Sequence, residues 1–181
     1  MVPGIWRGVV SVRWLAKLLR FVPARESEGI SLGDAACWEL LPPRGSRDLP
    51  LFLRALDGLF PEHSVLYLED GTPSREIRKF LEERAAANTS KVAPGTIWPR
   101  PEVFHMKITS ENLQGLAELA ERAATPEIAV HIHVCNEDKV LLEWYDAFVD
   151  PFRVSKSIVE SEVKRLAQKL GATCKEHNGN S

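Results

Sequence analysis

Cysteine is scarce in this 181-residue chain: Cys37, Cys135 and Cys174 are odd in number and widely spaced. With no C-x-x-C among them, a disulfide framework and a cysteine-bound zinc are excluded, and a reduced, cytoplasmic setting fits best. Long apolar runs are lacking too. No stretch approaches the roughly 18–20 residues of a membrane span, which excludes a span but not an anchor resting on the surface. A basic field is also missing: 23 Lys and Arg stand against 25 Asp and Glu, a net charge of −2, so nothing overall invites nucleic acid. Neither a glycine-rich phosphate loop nor a G-x-S-x-G nucleophile elbow occurs. One absence is local. Residues 1–25 contain no acid but hold Arg7, Arg13, Lys17, Arg20 and Arg25, which leaves 18 basic residues against all 25 acids, or −7, for the rest.

What is present is an ordinary globular composition, 44% hydrophobic and 27% charged, in a chain long enough for one proper core. Residues 1–25 are a basic amphipathic segment, with Arg13, Lys17 and Arg20 on one helical face. The pattern fits a first helix packed on the domain. The alternatives are peripheral membrane contact through residues 5–22, an acid-free transit peptide, or a reading frame whose true start lies later. Gly29, Gly33, Pro42, Pro43 and Gly45 mark residues 26–47 as a connector, in which Cys37 to Leu41 is a short edge strand at most. A single α/β domain is expected over residues 48–171, with 172–181 a flexible tail.

Within that domain, Asp48 as N-cap and Pro50 in the first turn open a helix whose apolar side is Phe52, Leu53, Leu56 and Leu59. Val65 to Leu68 is an unbroken apolar row, the pattern of a strand buried on both faces. Thr72 before Pro73 predicts the next helix, with Ile77, Phe80 and Leu81 inward. A loop rich in proline and glycine, 88–101, leads to a half-polar strand in which Phe104, Met106 and Ile108 alternate with Val103, His105 and Lys107. Thr109 or Ser110 opens a helix that Pro126 ends. Ser157 with Glu160 reads as a capping box for a last helix, stopped by Gly171.

The order β-α-β-α-β-β-α predicts an α/β fold with a four-stranded mixed sheet, preceded by one or two N-terminal helices. The Val65–Leu68 strand is central, and a right-handed crossover makes it parallel to the Val103–Ile108 strand. This order resembles a thioredoxin-like core, and Thr125-Pro126 matches that fold's proline loop. Where such a fold keeps its redox cysteines, this chain has Asp70-Gly71-Thr72-Pro73-Ser74 and no thiol. A ferredoxin-like α+β sandwich is the alternative.

The most informative stretch is Glu127 to Asp146. Ile128, Val130, Ile132 and Val134 alternate with Ala129, His131, His133 and Cys135; then Val140, Leu142 and Trp144 alternate with Leu141, Glu143 and Tyr145. Two strands with one apolar face each must share that face, because a slip of one residue turns a strand over. A three-residue turn, Asn136–Asp138 or Glu137–Lys139, satisfies the parity and sets Glu143 opposite His131 or His133. On a partly wet face such a pair is a modest cross-strand contact. Read as chemistry, His105, His131, His133 and Glu143 are the candidate ligands of a zinc ion, if the polar sides of their strands coincide. His131-x-His133 followed by Glu137 resembles a cupin metal motif. The run His131 to Cys135 resembles a histidine-triad nucleotidyl hydrolase with Cys at the third His, which implies His133 as nucleophile. Neither context fits, since a helix follows the hairpin and further motif histidines are missing. A second candidate is the loop edge at Glu69, Asp70, Thr72, Lys107 and Thr109, where open α/β sheets place ligands.

These features predict a non-catalytic domain that binds an unknown protein partner, or a second copy of itself, through a half-polar sheet face. The alternative is a phosphoester or ester hydrolase, metal-assisted or with a histidine nucleophile, using His133, His131 and Glu143.

Overall fold

A computed structural model describes residues 29–43, 48–87, 89–96 and 100–179. The basic segment 1–25, with the lipid-contact and transit-peptide readings attached to it, lies outside the described residues. Seven strands form one sheet: β1 Cys37–Leu41, β2 Val65–Glu69, β3 Val103–Lys107, β4 His131–Asn136, β5 Lys139–Trp144, β6 Phe152–Ser155 and β7 Thr173–His177. Their spatial order is β3-β2-β4-β5-β6-β1-β7, and every pairing between them is antiparallel. Five helices of the described residues accompany them: α1 Leu49–Ala55, α2 Arg75–Glu83, α3 Ser110–Ala120, α4 Thr125–Ile128 and α5 Glu160–Leu170. The class is therefore α+β. The four-stranded mixed sheet and the parallel crossover expected from the order of elements are wrong.

The reason lies in residues 84–102. Helix α2 returns the chain to the start of β2, where a parallel partner would begin. Instead Arg84 to Ala86 run alongside β3, Ala86 N–H donating to the His105 carbonyl and Lys107 N–H to the Arg84 carbonyl. The chain thus climbs the length of β2 a second time before Asp70 N–H meets the Glu102 carbonyl and β3 descends. That detour makes β2 and β3 antiparallel. It also lays residues 89–96 across the face of the sheet that has no helices.

All seven strands bring their inward residues to the helical side. Leu66, Leu68, Met106, Ile132, Val134, Leu142 and Val154 pack there against Phe52 and Leu53 of α1, Ile77 and Leu81 of α2, Leu113 and Leu116 of α3, and Val163 and Leu166 of α5. Trp144 is 1% exposed, with Phe148, Phe52 and Phe152 rings at 4.4, 4.8 and 5.0 Å, and its indole N–H donates to the Asp150 carbonyl at 2.8 Å. No helix of the described residues is long and apolar enough to cross a membrane.

Local signals resolve unevenly. Asp48 caps α1 through Leu51 N–H, Thr109 caps α3, and Gly171 ends α5 in the left-handed conformation at φ +61°, as expected. Ser74, not Thr72, caps α2. Pro126 opens α4 rather than merely ending α3, so β4 begins at His131 and not at Ile128. Val159 precedes α5, while the Ser157 hydroxyl pairs with Ser155 instead of forming a capping box. Residues 173–177, expected in a flexible tail, form β7 against β1, which places β1 inside the sheet instead of at its edge. The β4–β5 turn has two residues, Glu137 and Asp138, between paired Asn136 and Lys139. A bulge at Leu141 restores the phase that a three-residue turn would have given.

Candidate functional site

Because side chains alternate along a strand, each strand sends one residue into a transverse row on the side away from the helices. From edge to edge that row reads His105, Tyr67, His133, Glu143, Arg153, Glu39 and Lys175, each the cross-strand partner of the next. Glu143 faces His133, the second of the two registers open to the hairpin. One step along the strands, Glu69 faces His131, and Tyr145 brings its ring within 5.7 Å of His131 and 4.8 Å of His133. The centre of the face is thus two imidazoles flanked by two carboxylates and two phenols.

This face was expected to be half wet. It is covered. Residues 29–34 and 89–96 cross it, joined by a bridge between Ile30 and Val92, and Leu32 and Val92 pack on Tyr67, Cys135 and Val140. His131, His133 and Glu143 are 5%, 0% and 2% exposed, and Glu69 is 0% exposed. The alternating pattern is the same for a face in solvent and a face beneath a polar cover, and only the path of residues 84–102 separates the two.

Most buried polar groups here hold the cover in place. Glu69 accepts from the Tyr67 hydroxyl at 2.6 Å and from the backbone N–H groups of Thr96 and Gly95 at 2.7 and 3.2 Å. A Cβ at Gly95 would run into the His131 ring, so the cover approaches this closely only with glycine there. His131 Nδ1 accepts from Asp146 N–H at 3.0 Å, which makes Nε2 the protonated nitrogen, 3.1 Å from the Thr96 hydroxyl. That hydroxyl donates onward to Asp70 at 2.8 Å. The Tyr145 hydroxyl donates to the Ala93 carbonyl at 3.2 Å. Arg153 links the other half of the cover, donating to Glu143 at 2.6 Å and to the Gly33 carbonyl at 2.7 Å.

His133 differs from all of these. Neither of its ring nitrogens has a hydrogen-bond partner among the described residues, although the residue has no exposed surface. Tyr67 and Tyr145 present their rings at 5.3 and 4.8 Å. Burial, reinforced by His131 and the Arg153 charge, pushes its pKa down from 6.5 to about 3, so the ring is neutral at ordinary pH. Burial also lowers the pKa of His105, raises those of Tyr67 and Tyr145, and pushes the Cys135 thiol up to about 12. Comparison with protein-family models, with curated proteins and with solved structures finds no match for this chain.

The sequence-predicted groups are partly assembled. His131, His133 and Glu143 share a face, but Glu143 is bound to Arg153, and His131 to Asp146 and Thr96. His105 lies on the same face beyond Tyr67, two strand spacings or about 9–10 Å from the His133 row position, so the three imidazoles do not converge on one ion. Among the described residues no group of three or more His, Cys, Asp or Glu side chains is placed to hold a metal ion. Of the loop-edge candidates, Glu69 and Asp70 join the covered site, Thr109 is a helix cap, and Thr72 and Lys107 are exposed. Tyr67, Thr96, Tyr145 and Arg153 went unrecognised. Tyr67 is hidden in an apolar row, Thr96 in a loop, and Arg153 in a four-residue strand too short for its alternation to register.

An open concavity among the described residues lies elsewhere. It is a groove of about 590 Å³ between α2 and α3, floored by Phe80, Gly115 and Leu119 and walled by charged residues such as Glu76 and Arg122, which pair at 3.2 Å. None of the histidines lines it.

Proposed function

We propose that this chain is a non-catalytic binding domain whose site is the covered polar face of its sheet, reached when residues 89–96 lift. His133 carries the reading. Each buried polar atom left without a partner costs about 1–3 kcal/mol, and an apolar ring would avoid that cost at both nitrogens. A side chain this unfavourable in the closed state fits a group that finds its partner in another state. The cover is suited to moving. Among the described residues no ladder joins residues 89–96 to the seven strands; hydrogen bonds of the Ser90, Glu69, Thr96 and Tyr145 side chains do so. Self-association through an open sheet face loses its basis once that face is covered. Hydrolysis by His133 has less support than binding, because neither His131 nor Glu143 is free to orient it and its ring is a weak base.

Histidine modification under native conditions tests the reading. Diethyl pyrocarbonate, with modified sites mapped by mass spectrometry, should label exposed His63 and His177 at once. His133 should follow at the rate at which the Gly95 and Thr96 amides exchange with solvent. Labelling of His133 only at the rate of global unfolding would sink the proposal.

A further inference from the structure

Resting on that reading, we propose that the covered site takes a small organic ammonium ion, seated beside His133 against the Tyr67 and Tyr145 rings and hydrogen-bonded to the unpartnered nitrogen of His133. Three observations converge. First, charge at the site is lopsided: Glu69 and Glu143 lie within it, Asp70 and Asp146 stand at its rim, and among the described residues Arg153 is the cation hydrogen-bonded to Glu143. Arg153 answers Glu143, whereas Glu69 is 0% exposed and is held, among the described residues, by neutral donors. An anion brought to this face would be repelled, and a cation would be attracted. Second, the Tyr67 and Tyr145 rings border His133 on two sides, inclined to it by 59° and 68°, and phenol rings attract ammonium groups through their negative π faces. Third, His133 itself is fully buried, and one nitrogen of a neutral imidazole carries a lone pair that accepts an N–H. An alkylammonium ion supplies N–H donors, positive charge and an apolar tail for the lining of Leu32, Val92 and Val140. A metal ion would want three or more protein ligands, which the described residues do not gather here.

Titration of the full chain with n-butylammonium chloride tests this, with n-butyrate and n-butyramide as isosteric anion and neutral probes at matched ionic strength. The readouts are the Tyr67 and Tyr145 ring signals by NMR and the melting temperature. Butylammonium should shift the tyrosine signals saturably and raise the melting temperature, and butyrate should do neither. Affinity should fall about tenfold or more in His133→Phe. No saturable shift with butylammonium, or an affinity in His133→Phe equal to that of the unsubstituted chain, overturns the proposal. Saturation by butyrate or butyramide instead overturns the ligand class while leaving the covered site standing. If no probe binds and His133 is labelled only on global unfolding, the binding reading falls as well.

Discussion

Replacing His133 by phenylalanine separates a functional imidazole from a structural one. Both ring nitrogens are buried without partners, and Phe removes them while keeping an aromatic ring between Tyr67 and Tyr145 at 5.3 and 4.8 Å, within the normal range for ring pairs. Relief of two unpaired polar atoms is worth about 1–3 kcal/mol each, and the slightly larger ring in a tight site takes back roughly 1 kcal/mol or more. The net expectation at pH 7 is a gain of about 1–3 kcal/mol. For a chain of this size that corresponds to a rise of roughly 2–10 °C in melting temperature. Urea unfolding followed by tryptophan fluorescence measures it, because Trp144 lies in the core on the far side of the sheet. A loss of about 1 kcal/mol or more would mean that the imidazole nitrogens have partners in the folded protein, and the argument from His133 would be refuted. A gain in stability with loss of ligand binding is the signature of a side chain kept for function.

The remaining predictions follow from the same face. The folded pKa of His133 is depressed, from 6.5 to about 3, so below about pH 6.5 the unfolded chain takes up a proton that the folded chain refuses. Stability should therefore fall as pH drops from about 6.5 towards 3, by about 2 kcal/mol at pH 5, and the slope should be shallower by that amount in His133→Phe. Parallel pH profiles of the two proteins by urea titration would contradict this. Glu69→Gln weakens the acceptor that holds Gly95 and Thr96. Exchange of those two amides should rise roughly 10- to 100-fold, corresponding to about 1.5–3 kcal/mol of easier opening, while the amides of β4 hold their rates. Arg153→Met leaves Glu143 buried without its cation and should cost about 3 kcal/mol; adding Glu143→Gln should recover most of it. Strict additivity in that double-mutant cycle would show that the pair does not act as a unit.

Period-two patterning was legible wherever a strand was long enough. It placed His131, His133 and Glu143 on one face and Trp144 on the other, as the pairing of β4 with β5 has them. It could not tell a two-residue turn with a bulge from a three-residue turn, since both restore the same phase. β6 and β7 escaped because four or five residues carrying Arg153, Lys175 and Glu176 look like loop or tail until neighbouring strands supply their hydrogen bonds. The parallel crossover failed for a different reason. Helix α2 does bring the chain back, but the long segment after it has length enough to run up the sheet again, and no local preference of its residues reveals that route.

By itself, then, the sequence determined the phase of the strands, three of the helix ends and the residues that share the imidazole face, because these depend on neighbours two to four positions away. Tertiary structure alone decided that this face is sealed, that Glu69 and Arg153 bind its cover, and that His133 is left without partners. Those outcomes depend on groups far apart along the chain, such as Glu69 with Thr96 and Arg153 with Gly33, and on the exclusion of water that follows when they meet.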